Sequence, residues 1–173
     1  MAYPPDNLHK LFQVMRMKNQ KFRVYAIAIL IPEAVGALAG LLTREGIQNF
    51  QNVPQSALTP PAVLFPVVWT ILYALMGISL ARVWMAEEST ERTRGLSLFL
   101  FQLIFNFFWS IFFFNMGAYG FSFLWILGLW VLIGLMILSF YKVDKIAAWL
   151  QVPYFLWVTF AAYLNYAVWQ LNK

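Results

Sequence analysis

Three helical stripes hold the residues whose types and spacing could do chemistry. Pro66, Trp69, Tyr73 and Met76 follow a 3-4-3 spacing that puts them on one helix face. Gln102, Asn106, Trp109 and Phe113 follow 4-3-4, and Pro153, Trp157, Ala161 and Asn165 are each four apart. Indoles supply flat, polarizable walls, and carboxamides supply a few directional hydrogen bonds, so facing stripes of this kind would suit a planar apolar guest. They would not suit acid–base or metal chemistry. The chain has no Cys, and its one His is His9, near the N-terminus. Paired catalytic carboxylates, a nucleophilic triad, a phosphate loop and a metal cluster are all missing from the sequence, so neither a metal nor a cofactor is expected.

Such stripes need long apolar elements to carry them. The chain of 173 residues is 62% hydrophobic and 11% charged, which a soluble domain of this size could not bury. A membrane-crossing helix takes about 20 mainly apolar residues. Five segments qualify: about 22–43, 62–86, 95–117, 119–141 and 146–171. Their apolar runs are continuous rather than alternating, which excludes a β-barrel pattern. The expected fold is all-α, a five-helix integral membrane bundle over 22–173 preceded by a basic tail over 1–21. The breaks are Arg44 to Thr59, Glu87 to Arg94, the tight turn Asn115-Met116-Gly117 and the basic turn Lys142 to Lys145. Ala37-Leu38-Ala39 mimics a leader cleavage site, but Pro32 and Glu33 interrupt the apolar run before it, so the first segment reads as a retained span.

Charge sets orientation. Lys10, Arg16, Lys18, Lys21, Arg23, Arg82, Arg92, Arg94, Lys142 and Lys145 fall on one side of a five-span chain, and only Arg44 and Lys173 on the other. The rule that positive loops stay inside predicts a multi-pass cell-membrane protein with its N-terminus cytoplasmic and its first loop and C-terminus outside. The net charge of +5 then reflects topology and attraction to anionic headgroups of the lipid bilayer, not nucleic acid.

Amides in hydrocarbon are unfavourable unless paired, so the three stripes should face one another. Pro66 and Pro153 each remove a backbone donor within a span, which a neighbour or cavity must offset. Trp84, Trp149 and Trp169, close to span ends, read as interfacial belt. Glu33 is the one acid placed within a span, where it either serves function or fills the backbone site freed by Pro32. Gly36 and Gly40 form a G-x-x-x-G that permits close helix approach, within the chain or in a homodimer.

These residues, taken in order, resemble the TspO/MBR family of bacterial tryptophan-rich sensory proteins and the mitochondrial translocator protein. The likeness covers 25–172. It runs through Pro60-Pro61, Phe65, Val68-Trp69, Leu72-Tyr73 and Met76-Gly77 on the second span, and Gln102-Leu103, Asn106, Trp109 and Phe112–Phe114 on the third. It continues through Ala148-Trp149-Leu150, Pro153-Tyr154, Trp157, Ala162, Leu164-Asn165-Tyr166 and Trp169 on the fifth. The resemblance implies a five-helix bundle, often dimeric, with a pocket under the first loop for porphyrins, haem and other planar hydrophobic ligands. The implied ligand-binding set is Pro61, Phe65, Trp69, Tyr73, Gln102, Asn106, Trp109, Tyr154, Trp157, Ala161 and Asn165. Trp69 and Trp157 match tryptophans implicated in porphyrin breakdown by some bacterial members.

The first loop departs from the family pattern, which carries Trp-Tyr and then Lys-Pro-x-Trp before the Pro-Pro pair. Here it reads Asn49-Phe50-Gln51-Asn52-Val53-Pro54-Gln55-Ser56-Ala57-Leu58-Thr59, with no Trp. A sterol-type motif also fails by one position, because Lys173 follows Tyr166 too late. The leading expectation is a porphyrin-binding receptor or sensor. A Trp-dependent porphyrin-degrading enzyme and a small-molecule or tetrapyrrole transporter using Glu33 are the alternatives.

Overall fold

The computed structural model describes the backbone of residues 6–173 and the side chains of residues 13–173. His9 and Lys10 lie outside the described side chains. Among the described residues six α-helices form: α1 (Asp6–Leu42), α2 (Arg44–Phe50), α3 (Leu64–Trp84), α4 (Thr90–Ser110), α5 (Tyr119–Val143) and α6 (Lys145–Leu171). Five of them are long and apolar enough to cross a membrane. Among the described residues there are no strands.

The differences from the expected spans lie at their ends. α1 begins at Asp6 rather than near residue 22, because the Lys, Arg, Gln and Met residues before the apolar run are good helix formers and extending an existing helix is easy. α4 begins at Thr90, inside the stretch read as a charged loop; Ser89 is its N-cap, and its Oγ accepts a hydrogen bond from the Arg92 amide at 3.1 Å. The first half of the long polar loop is helical as α2, too short for its periodicity to be read. Pro66 is the third residue of α3, where the missing amide would have no intrahelical partner, so the expected donor loss does not arise there. Pro32 and Pro153 do lie inside their helices.

The long helices pack as a ring: α1 on α3, α3 on α6, α6 on α5, α5 on α4, and α4 back to α1. Met76, Val83, Met136, Phe140, Ala147 and Ala148 are buried and fill the end of the ring remote from α2. α1 and α3 approach closely at Gly77, where a Cβ would overlap the Ile29 backbone. The same remote end is clamped where α5 passes into α6. Asp144, the N-cap of α6, accepts from the Ala147 amide at 3.0 Å and pairs with Arg82 of α3 at 2.8 Å, and Ser79 donates to the Ala147 carbonyl at 2.8 Å.

That clamp titrates. Burial pushes the Asp144 carboxyl up, but the Ala147 amide and the Arg82 guanidinium more than offset it and hold the carboxyl below the usual carboxylate range. A group with a lowered folded pKa contributes stability above its unfolded value, about pH 4, and loses it as pH falls through the lower folded value. Melting curves in detergent should therefore show wild type exceeding Asp144→Asn at pH 7, with the gap closing below about pH 4. A gap independent of pH would remove the ion pair as its cause.

Candidate functional site

Under α2 the ring opens into a cavity of about 710 Å³. Its size falls within the range of small-molecule sites, roughly 300–1,000 Å³. α1 contributes Glu33, Gly36 and Gly40, joined by Thr43, the residue before α2; α3 contributes Phe65, Pro66, Trp69, Thr70 and Tyr73, α4 contributes Trp109, and α6 contributes Trp157, Ala161, Leu164, Asn165 and Val168. α5 supplies no lining residue; it supports α4 and α6 from outside.

The walls are aromatic. Trp69 lies against Tyr73 with centroids 5.3 Å apart and edge-on to Tyr154 at 6.1 Å. Phe65 meets Trp157 edge-on at 5.9 Å, and Trp109 stacks with Phe113 at 5.3 Å. Gly36 makes room for this arrangement, because a Cβ there would run into the Tyr73 ring. At Gly40 nothing lies within 4 Å of the position a Cβ would take, so the two glycines of G-x-x-x-G have different surroundings.

Hydrogen bonds hold the floor. The Tyr73 hydroxyl donates to Asn106 Oδ1 at 2.9 Å, Asn106 Nδ2 donates to the Tyr154 hydroxyl at 3.1 Å, and that hydroxyl donates to Gln102 Oε1 at 2.8 Å. This chain joins α3, α4 and α6 across the bundle. Asn165 serves the wall similarly: its Oδ1 accepts from Trp109 Nε1 at 3.0 Å and its Nδ2 donates to the Tyr119 carbonyl at 2.8 Å.

The residues named from the sequence thus divide by position. Phe65, Trp69, Tyr73, Trp109, Trp157, Ala161 and Asn165 line the cavity. Gln102, Asn106 and Tyr154 do not line it; each is at most 2% exposed and bonds to other side chains beneath it. Pro61 is exposed outside the lining, although its neighbours Pro60 and Ala62 belong to it. Periodicity puts amides on the inward face but cannot tell a cavity wall from a layer packed one turn deeper.

The helical form of the loop over the cavity, its lid, and the turn that holds it were not readable from the sequence. α4 ends in a π-helical turn, Ile111–Asn115, in which the Met116 amide reaches the Ile111 carbonyl at 3.1 Å. The widened turn brings Phe113 and Phe114 together onto Phe50 of α2, at 5.0 and 5.5 Å. Gly46 permits α2 to dock there, since a Cβ would lie 2.5 Å from the Phe114 carbonyl oxygen. Asn115 Nδ2 donates to the Leu42 carbonyl at 2.9 Å, and Gly117 turns the chain at φ +58°. The segment after α2 is tied down by Gln55 Nε2 donating to the Phe50 carbonyl at 2.9 Å and Asn172 Nδ2 donating to the Pro54 carbonyl at 3.1 Å. Phe50 is the aromatic residue that α2 presents to this cluster.

Of the tryptophans near span ends, Trp84 and Trp149 are exposed, and Arg92 and Lys173 sit over the rings of Trp84 and Trp169 at 5.6 and 4.6 Å. That geometry fits the bilayer interface.

Comparison with known proteins bears on the whole arrangement. The sequence model of the TspO/MBR family matches residues 28–170. The chain is 37% identical over 159 residues to the tryptophan-rich protein TspO of Chlorobaculum tepidum, covering 89% of this chain and 99% of that protein. It is 34% identical to protein CrtK of Rhodobacter capsulatus, covering 87% and 92% of the two chains. With the translocator protein of Bos taurus it shares 29% identity over 83% and 87%. A family match across nearly all of the five apolar helices and the cavity they enclose makes this chain a multi-pass membrane protein of the TspO/MBR family.

Proposed function

We propose that this protein is a receptor or sensor that binds planar hydrophobic ligands, porphyrins first among them, in the cavity beneath α2. The carrying observation is the wall itself. Trp69, Tyr73, Trp109, Trp157, Phe65 and Phe113 surround about 710 Å³; the Trp109 ring N–H and the Asn165 amide are bonded within the protein, and the Trp157 ring N–H has no partner there. Affinity then comes from ring contact, and orientation from few polar groups. The lining offers no His, Cys, Met or Lys to an iron, and the Tyr73 hydroxyl is engaged by Asn106, so on this reading recognition rests on the macrocycle rather than on a nitrogen- or sulfur-ligated iron. The distribution of Lys and Arg supports an N-terminus in the cytoplasm and α2 on the outer face of the cell membrane. A homodimer through the lipid-facing helices is part of the same reading by family resemblance.

Quenching of tryptophan fluorescence by a porphyrin panel in detergent tests this. Protoporphyrin IX and haem should quench saturably with affinities within about threefold of each other, a difference of well under 1 kcal/mol. Trp69→Ala should weaken both about tenfold, the scale of one lost stacking partner. Binding that vanished with the iron would refute the proposal. Because Trp69 and Trp157 line one cavity, oxidative breakdown of a bound porphyrin is the second reading. Trp→Phe variants that keep binding but lose product formation would favour it over a sensor.

A further inference from the structure

The cavity has two unlike ends. From Thr43 at the lid, just past the end of α1, the chain runs back ten residues, or about 15 Å, to Glu33. Glu33 thus sits at the inner end with Tyr73, the deepest lining residue of α3, whose ring lies against Gly36 about one turn from Glu33. Among the described residues it is the only charged side chain in the lining; Lys, Arg and His are absent from it, and Arg44 at the start of α2 is not part of it. Among the described residues Glu33 has neither an ion-pair partner nor a side-chain hydrogen bond. The hydroxyl beside it is already committed, since Tyr73 donates to Asn106.

We infer that Glu33 makes the inner end of the cavity a recognition site for a cationic or N–H-donating group on the guest, and that guest carboxylates are excluded from it. The inference rests on the reading of the cavity as a planar-ligand site. A half-buried carboxylate with no internal partner attracts a protonated nitrogen and repels a second carboxylate. A dicarboxylate tetrapyrrole would therefore enter with its acids toward the lid, and its apolar edge toward Trp69 and Trp157. A planar aromatic amine would bind the other way, nitrogen inward.

Three tricyclic probes of nearly equal shape test this: acridine, 9-aminoacridine as the cation and acridine-9-carboxylate as the anion. Binding is read by tryptophan quenching in nanodiscs of zwitterionic lipid, which removes headgroup attraction. Wild type should bind the cation at least about tenfold tighter than the anion, with neutral acridine between them. Glu33→Gln should bring cation and anion within about twofold, and Trp69→Ala should weaken all three alike. The wild-type order is informative even if Glu33→Gln fails to fold. Charge order among acridines without porphyrin binding would uphold Glu33 and sink the porphyrin reading. Porphyrin binding without charge order would do the reverse, and failure of every acridine to bind would overturn the inference.

Discussion

Replacing Gly77 by valine should pull α1 away from α3 and lower stability by about 3 kcal/mol or more, at the upper end of overpacking effects. A Cβ at this position would overlap Ile29 Cα and lie 2.8 Å from the Ala28 carbonyl oxygen. Both obstacles include backbone inside a helix, which cannot swing aside as a side-chain tip would. Relief requires moving α1 as a body, and α1 also carries Glu33 and Gly36 of the cavity wall. The measurement is a thermal melt in detergent beside Gly40→Val, whose Cβ would meet nothing within 4 Å. Gly40→Val should melt like wild type while altering ligand affinity, because Gly40 lines the cavity. Similar melting temperatures for the two variants would show that helix contact at Gly77 is not tight.

Asn106→Leu is expected to cost about 1–3 kcal/mol and to loosen the cavity floor. Asn106 is the middle of the Tyr73–Asn106–Tyr154–Gln102 chain, and leucine of similar volume leaves the Tyr73 hydroxyl without an acceptor. Two rules bear on the size. Side-chain hydrogen bonds within bilayers average about 0.6 kcal/mol, because the unfolded helix also finds partners in the membrane. Stranding a buried donor costs more, about 1–3 kcal/mol, and the second term should prevail at sites only 2% and 7% exposed. The double variant with Tyr73→Phe separates the terms: removing the stranded hydroxyl should recover much of the loss. Strictly additive losses would mean that the bond contributes little and that the floor is held by packing alone.

Much of this molecule was legible from residue spacing. Continuous apolar runs near 20 residues have one solution in lipid, so five spans and the turn at Asn115-Met116-Gly117 could be read directly. The inward face of each stripe was legible too, because an unpaired amide in hydrocarbon is costly wherever the helix sits. Two backbone details were not. Pro66 looked like an interruption until the start of α3 at Leu64 put it in the first turn. The π-helical turn at Ile111–Asn115 gives no periodic signal, since one widened turn shifts the phase within only five residues.

The division between wall and floor required the tertiary structure. Gln102 and Asn106 share their face with Trp109, yet the amides are sealed beneath the cavity and only the indole lines it. Sequence by itself determined the solvent, the element type and the inward faces, because those follow from the chemistry of single residues repeated at helical spacing. Only tertiary structure decided how deep each stripe sits relative to its neighbours, which places Trp69 and Trp157 on one cavity and leaves Glu33 as the charged residue at its inner end. Helices are free to slide along one another by a turn without changing any spacing within a chain. Their register is set by contacts between residues far apart in sequence, such as Gly77 on Ile29 and Tyr73 on Asn106.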